Sequence, residues 1–419
     1  MTERIQTASA ETFRSLRSRN FRLFFTGQLI SQTGKWVSMV AQTLLVLSMT
    51  SSGIALGLLT AFQFGPVLVL GAWAGAVADR ADKQRLLIVM QSLAMVQSFA
   101  LGAIVLLGWH SLALIYALAL VQGVITSFDN PARRAFVVEM VPDDDLPNAV
   151  SLNSAVMTGA RVLGPAVAGA LVVTVGYGWS FVIGSVSYVG VLAGLVMMRP
   201  AELNRAAPTP KGKGQVRAGL RYVAANRRLL VPIAMMAAIG TFAYNFSVSM
   251  PLLVEGPLGG GATSFTLLFS VVSLGSLIGA LSTARRKSVT GHHVVVGATG
   301  FGASLLLLSV APNLTIAYVV GFGLGLASIL FLTSSTATVQ LLADAEYRGR
   351  VLALQSMVFL GSAPIGGPLV GWVADVAGPR AAVAMGGVAC LAAAALGQRA
   401  LRERPSSRLV DTGEVALVD

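Results

Sequence analysis

The chain has 419 residues, of which 55% are hydrophobic and only 11% charged, with a formal charge of +12. Soluble domains carry roughly 25% charged residues, so water cannot be the solvent for this much apolar side chain, and a lipid bilayer must be. The 30 basic residues fall in short gaps between apolar runs rather than on one face, which excludes nucleic acid as the partner and reads as an orientation signal.

Taken in chain order, the N-terminal segment carries Arg4, Arg14, Arg17 and Arg19 before the first apolar run. That run is too long for a signal-peptide core and has no cleavage site, so it predicts a retained transmembrane helix. Further apolar stretches long enough to cross the bilayer follow, and spans are predicted near 21–48, 54–78, 85–107, 111–133, 150–174 and 179–198. After a polar segment they resume near 229–252, 263–284, 293–311, 314–338, 351–376 and 380–398. Helices are required, because an open strand edge would leave backbone groups unpaired in lipid. The expected fold class is an all-α membrane protein of twelve transmembrane helices in two six-helix bundles.

Counting Lys and Arg by loop places 27 of the 30 on one side, so both termini are predicted to be cytoplasmic. Residues 1–198 form the expected N-terminal bundle and 229–400 the C-terminal one, followed by a cytoplasmic tail over 401–419. The segment 199–228, with Pro208, Pro210, Gly212 and Gly214 among its basic residues, reads as a cytoplasmic linker with a surface helix over Val216–Asn226. The halves look duplicated. A shift of 202 residues maps Gly123, Gly164, Gly169, Gly176 and Gly184 onto Gly325, Gly366, Gly371, Gly378 and Gly386. Parallel repeats of this kind place a substrate path between the halves.

Two cations, Lys35 and Arg161, fall near the middle of their predicted spans. Each costs about 2.5–3.5 kcal/mol there even on the lenient insertion scale, so each is expected to face a wet cavity. Helical spacing agrees: Gln28, Gln32, Lys35 and Gln42 share a stripe of the first span, flanked by Ser31 and Ser38. Gln122, Thr126, Asp129 and Arg133 do so on the fourth, and Asn153, Met157, Arg161 and Gly164 on the fifth. The two cations either attract an anionic group or tune a proton site, or they form internal ion pairs that only fix packing. Asp129 is the most deeply placed carboxylate of the first half. In the second half Tyr244, Asn245, Phe246, Phe269, Gln355 and Phe359 are candidate cavity residues. Asp375 and Glu255 are expected to be solvated at helix ends.

Other patterns carry no chemistry. Gly34-Lys35 lacks the spacing and hydroxyl of a phosphate loop, and the glycines of Gly321–Leu326 lie within an apolar helix. His292 and His293 are adjacent, a poor geometry for one metal, so neither metal nor cofactor is expected. The single cysteine, Cys390, excludes an intrachain disulfide. No nucleophile–base pair falls within the spans, which argues against an enzyme.

The loop after the second span reads GAVADRADKQRLL, from Gly75 to Leu87, with Asp79, Arg80 and Lys83 clustered at the membrane surface. It resembles the signature loop of the major facilitator superfamily, with Asp82 where the second glycine usually stands. The stretch Phe128–Ser154, then ARVLGPAVAG over Ala160–Gly169, together with GQLISQTGKWVSMVAQ over Gly27–Gln42, resembles the enterobactin-exporter-like, drug:proton antiporter branch. The resemblance covers nearly the whole chain. It implies export of siderophore-like metabolites or drugs in exchange for protons, across a bacterial plasma membrane, by a chain competent as a monomer. It also implies that Gly75 admits a close helix neighbour and that Asp79 faces the start of the eleventh span. Asp129 is expected to pair with Lys83, and Gly159, Gly164, Pro165 and Gly169 are read as the fifth-helix antiporter motif. The rival readings are an uptake symporter or facilitator for a small anionic metabolite, and a non-transporting membrane scaffold.

Overall fold

A computed structural model describes residues 13–109, 111–205, 215–284, 291–344 and 347–402. The sequence expectations for Arg4, for Pro208 to Gly214 and for most of the tail lie outside these. Among the described residues every regular element is helical. In chain order these are α1 (Arg19–Met49), α2 (Gly53–Arg80), α3 (Lys83–Leu106), α4 (Leu112–Glu139), α5 (Leu146–Val196), α6 (Gln215–Ala225) and α7 (Arg227–Phe242). Then follow α8 (Phe246–Glu255), α9 (Ala262–Ala284), α10 (Gly291–Ser309), α11 (Leu314–Leu342), α12 (Arg348–Ala377) and α13 (Pro379–Arg402). Side-chain caps fix several starts. Ser52 accepts from the Ala55 amide at 3.4 Å, Asp82 from Arg85 at 3.1 Å and Asn313 from Ile316 at 3.0 Å.

Among the described residues ten helical runs are long and apolar enough to cross a membrane. Three departures from the expected spans are seen. The run over Asp143–Val196 is 54 residues long, about 81 Å of helix, well over twice the hydrocarbon thickness. It is interrupted at Gly176, whose φ of 81° and ψ of 174° break the helical path. α1 is not among the ten, because its polar stripe lowers its hydropathy although the helix is 31 residues long. The single span predicted over 229–252 is also broken, with α7 ending and α8 restarting at Asn245.

Gly176 and Gly378, which the repeat shift superimposes, both take positive φ, 81° and 89°. Only glycine enters this region without a steric penalty, so the same backbone break recurs at matching positions of the two halves. The surface helix expected near Val216–Asn226 is α6. Its Tyr222 stacks on Tyr347 with ring centroids 4.4 Å apart and bonds Asp344 at 2.8 Å, tying α6 to the turn between α11 and α12.

Helices pack through small residues. α1 lies along α5, with Gly27 against Val191 and Gly34 against Ser187. α2 lies along α12, where Gly53 meets Gly371 and Gly57 meets Gly367. This contact continues to Leu68 against Gly361; beyond it Gly71 and Gly75 on α2, and Gly349 on α12, face open space. The α2–α12 pair is therefore closed at one end and apart at the other. Among the described residues, the close neighbour expected at Gly75 is not found. Phe181, Phe265, Phe301 and Phe331 fill the interior, whereas Val69, Val319 and Val376 are at least 70% exposed, which suits contact with acyl chains.

Candidate functional site

The polar stripes of α1, α4 and the first part of α5 converge on one cavity of about 410 Å³. Gln32, Lys35, Ser38 and Gln42 reach it from α1, Gln122, Thr126, Asn130 and Arg133 from α4, and Met157 and Arg161 from α5. Lys35 Nζ has only one hydrogen bond among the described residues, to Thr126 Oγ1 at a long 3.4 Å, and Gln122 Nε2 shares that oxygen at 3.3 Å. Gln63 Nε2 donates to Gln42 Oε1 at 2.9 Å and Gln42 Nε2 donates to the Ile115 carbonyl at 3.2 Å, so these amides hold the wall. Arg161 makes no hydrogen bond or ion pair among the described residues. Its guanidinium carbon lies 5.6 Å from the Trp36 ring centre, a cation–π contact. Gly164 allows it: a Cβ there would strike Trp36 Cβ.

Asp129 sits behind this cavity, 4% exposed, in a narrow crevice that also contains Lys35, Gln32 and Tyr188. Gln91 Nε2 donates to its Oδ1 at 2.7 Å, and Arg133 Nε lies 3.5 Å from its Oδ2. Arg133 Nε forms no hydrogen bond, so the ion pair is loose; Arg133 Nη2 instead bonds Asn130 Oδ1 at 2.6 Å. The expected pairing of Asp129 with Lys83 is incorrect. Lys83 Nζ binds Glu139 Oε1 at 2.7 Å. The reason is helix length: α4 runs on past Arg133 to Glu139, whose carboxylate reaches the start of α3, while Asp129 lies almost three turns deeper.

A second cavity, of about 180 Å³, adjoins the first and shares Trp36, Met39, Phe64 and Arg161 with it. Tyr244, Phe246, Phe269 and Phe359 line it, and the Tyr244 ring sits 5.1 Å from Phe359 at 84° and 5.7 Å from Phe246. Tyr244 Oη is committed to the Ser328 carbonyl at 2.5 Å. Asn245, at the α7–α8 break, lines the same cavity; its Nδ2 bonds Thr241 O at 2.7 Å and its Oδ1 has no partner. Gln355 is not in that lining. It lines a neighbouring cavity of about 270 Å³ with Met236, Thr336 and Ser356, which shares Leu332 and Phe359 with the aromatic one, because its amide is drawn to Ser335 Oγ at 3.2 Å.

The remaining predicted residues divide. Gly164 packs on α1 and Gly169 on Thr266 of α9, with Pro165 between them inside α5, whereas Gly159 faces open space. Asp79 is half-buried and Arg80 exposed at the end of α2. Asp375 is not simply solvated. Its carboxylate accepts from the Gly53 amide at 2.5 Å, the Ile54 amide at 3.0 Å and Ser52 Oγ at 2.9 Å, capping α2 from the end of α12. Among the described residues no group of side chains could hold a metal ion.

Helices apolar enough to span a bilayer, gathered round a polar interior cavity, define a membrane transporter. A family model described as a transmembrane secretion effector matches residues 10–411, and the chain belongs to that family of the major facilitator superfamily. It is 24% identical over 369 residues to the staphyloferrin A transporter of Staphylococcus aureus, covering 85% of this chain and 90% of that one. It is also similar to the enterobactin exporter EntS of Escherichia coli, 25% identical over 63% of each chain. Among solved structures, a peptide transporter POT in complex with sulfate superposes with a TM-score of 0.74, 12% identity and coverage of 92% and 95%. A bacterial homologue of the lysosomal transporter Spinster, inward-facing and occupied, gives 0.71 at 16% identity, with 93% and 97% covered. At those identities the likeness is one of fold. These relatives are transporters, and this chain is a transporter rather than an enzyme.

Proposed function

We propose that the protein is a proton-coupled exporter that moves small amphipathic molecules, siderophore-like metabolites or drugs, out of a bacterial cell by alternating access. The chain then crosses the inner membrane twelve times, the two arms of α5 and the joined α7–α8 each counting by crossing, with both termini cytoplasmic. Residues 1–198 and 229–400 are the two rocking bundles, and a single copy suffices. The closed end of the α2–α12 pair, which holds Gly53 and Asp375, is the outer end, and the state is open to the cytoplasm.

One observation carries this reading: a cavity of about 410 Å³ lined by Lys35, Arg133 and Arg161 has no carboxylate among its lining residues. The volume lies in the range of small-molecule sites. A cation held in the membrane without a partner is relieved by a bound anion, which makes cargo binding favourable where the side chains alone are not. Asp129, reached by the crevice beside Lys35, is the proton-exchanging group. Its proton uptake releases Arg133 towards the cavity. The relatives named for siderophores support the cargo class.

The test is uptake into proteoliposomes with an imposed pH gradient, comparing catechol siderophores with cationic dyes. Anionic cargo is expected to accumulate against the proton flow, and Asp129→Asn to remove the gradient dependence. Transport of equal rate with and without the gradient would refute coupling. Full gradient dependence in Asp129→Asn would refute the assignment of the proton site.

A further inference from the structure

The two adjoining cavities differ in chemistry. The larger is bounded by the first half and presents cations and amides: Lys35, Arg133, Gln32, Gln63, Gln122 and Arg161. The smaller is bounded mainly by the second half and presents rings, and Arg161 and Tyr244 are the titratable groups that line it. Tyr244 has already committed its hydroxyl to a backbone carbonyl, so it offers the chamber a ring face and not a free donor. The two spaces meet at Trp36 and Arg161, which belong to both, and Trp36 lies 6.3 Å from Phe269 across the junction.

Size sharpens the assignment. A dry apolar cavity of about 150 Å³ holds one benzene ring, so the roughly 180 Å³ aromatic chamber holds one ring and not two. The chamber's rings already pair with one another, Tyr244 with Phe246 at 5.7 Å and with Phe359 at 5.1 Å, and an aryl guest would add a further contact of that kind. An anion seated at Lys35 and Arg161 leaves any tail that passes Trp36 inside this chamber, because Arg161 and Trp36 stand on the boundary of both.

We infer that the cargo is a two-part anion: a hydrogen-bonding, negatively charged head held at Lys35 and Arg161, joined by a short link to a single aryl group held by Tyr244, Phe269 and Phe359. This rests on the reading of the cavity as the cargo site. It adds a requirement that export alone does not imply, namely that head and ring act as separate, additive determinants.

The test uses the purified full chain in nanodiscs, where binding is measured by calorimetry without any gradient. The probes are malonate, benzylmalonate and benzyltrimethylammonium. Benzylmalonate is expected to bind at least tenfold tighter than malonate, and the cation to bind more weakly than either. Arg161→Gln and Lys35→Met are expected to weaken malonate and benzylmalonate by the same factor. Phe269→Ala, and the milder Phe269→Leu should the first fold poorly, are expected to remove the benzyl increment and leave malonate unchanged. Equal affinity for malonate and benzylmalonate overturns the inference, as does a benzyl increment that survives both Phe269 variants, or no binding of any probe. Benzylmalonate that binds as expected but is not moved by a pH gradient in proteoliposomes would overturn the export reading and leave the two-part site standing.

Discussion

Asp375→Ala removes the acceptor of three hydrogen bonds at the start of α2. Loss of such a cap costs about 0.5–2 kcal/mol, and the anion–dipole contribution adds about 0.3–1 kcal/mol. Asp375 is exposed, so solvent recovers part of this, and about 1–2 kcal/mol is the appropriate range. The carboxylate belongs to α12 and the capped amides to α2, so the loss falls on the state in which those helices touch. A shift of roughly 5–30-fold towards the outward-open state follows. Thr60 reports it, being 6% exposed and packed against Gly367 in the closed contact. In a Cys390→Ser background, Thr60→Cys would be labelled in inside-out and right-side-out vesicles with a membrane-impermeant maleimide. Labelling from the outer face should accelerate 5–30-fold in Asp375→Ala and less in Asp375→Asn, whose amide oxygen still accepts. A rate within twofold of the parent would refute the idea that this contact holds the end closed.

Four further outcomes are expected. Gly53→Ala places a methyl group against the Gly371 carbonyl oxygen, so the same labelling assay should show an outer end that no longer closes. Arg161→Gln should weaken anionic cargo by about 10–100-fold, the loss of one charged hydrogen bond of about 1.5–3 kcal/mol, while leaving cationic dye efflux intact; calorimetry and dye efflux check the two halves of this statement. A double-mutant cycle on thermal stability should give about 1–3 kcal/mol of coupling for Lys83 with Glu139, and within about 0.5 kcal/mol of zero for Lys83 with Asp129. Tyr222→Ala removes both the Tyr347 stack and the Asp344 bond, and limited proteolysis should then cut near α6 faster than in the parent, with transport retained.

The cavity was legible because two rules act on the same residues. Charge is too costly to leave in lipid, and a helix repeats its face every three to four positions, so Gln32, Lys35, Gln122, Thr126 and Arg161 had to converge. The repeat was legible for a related reason, since glycines at matched positions such as Gly176 and Gly378 meet the same backbone demand. What escaped the sequence depends on where helices end. Glu139 was overlooked because α4 continues past the apolar stretch, and the helix extension decides which acid reaches Lys83. The break at Asn245 has no strong local signal, as Pro251 lies further on and the flanks carry no glycine or proline closer than Gly240. Gln355 has the right residue type on a plausible face, yet a neighbouring hydroxyl turns it into another space. Asp375 was read as a solvated end because a cap supplied by a distant helix leaves no local spacing to detect.

The ion pairs described above, Lys83 with Glu139 and Arg133 with Asp129, each join residues of the first half. The described contacts that bridge α2 and α12 are of another kind, glycine backbone against glycine backbone and one carboxylate on two amides. Rocking can therefore proceed with the Lys83–Glu139 pair unchanged, carried along inside one bundle. The resistance to movement at that end is short-ranged, close glycine packing together with one exposed carboxylate cap, so turnover should respond to the lateral pressure of the lipid and, through that cap, to the salt concentration of the medium.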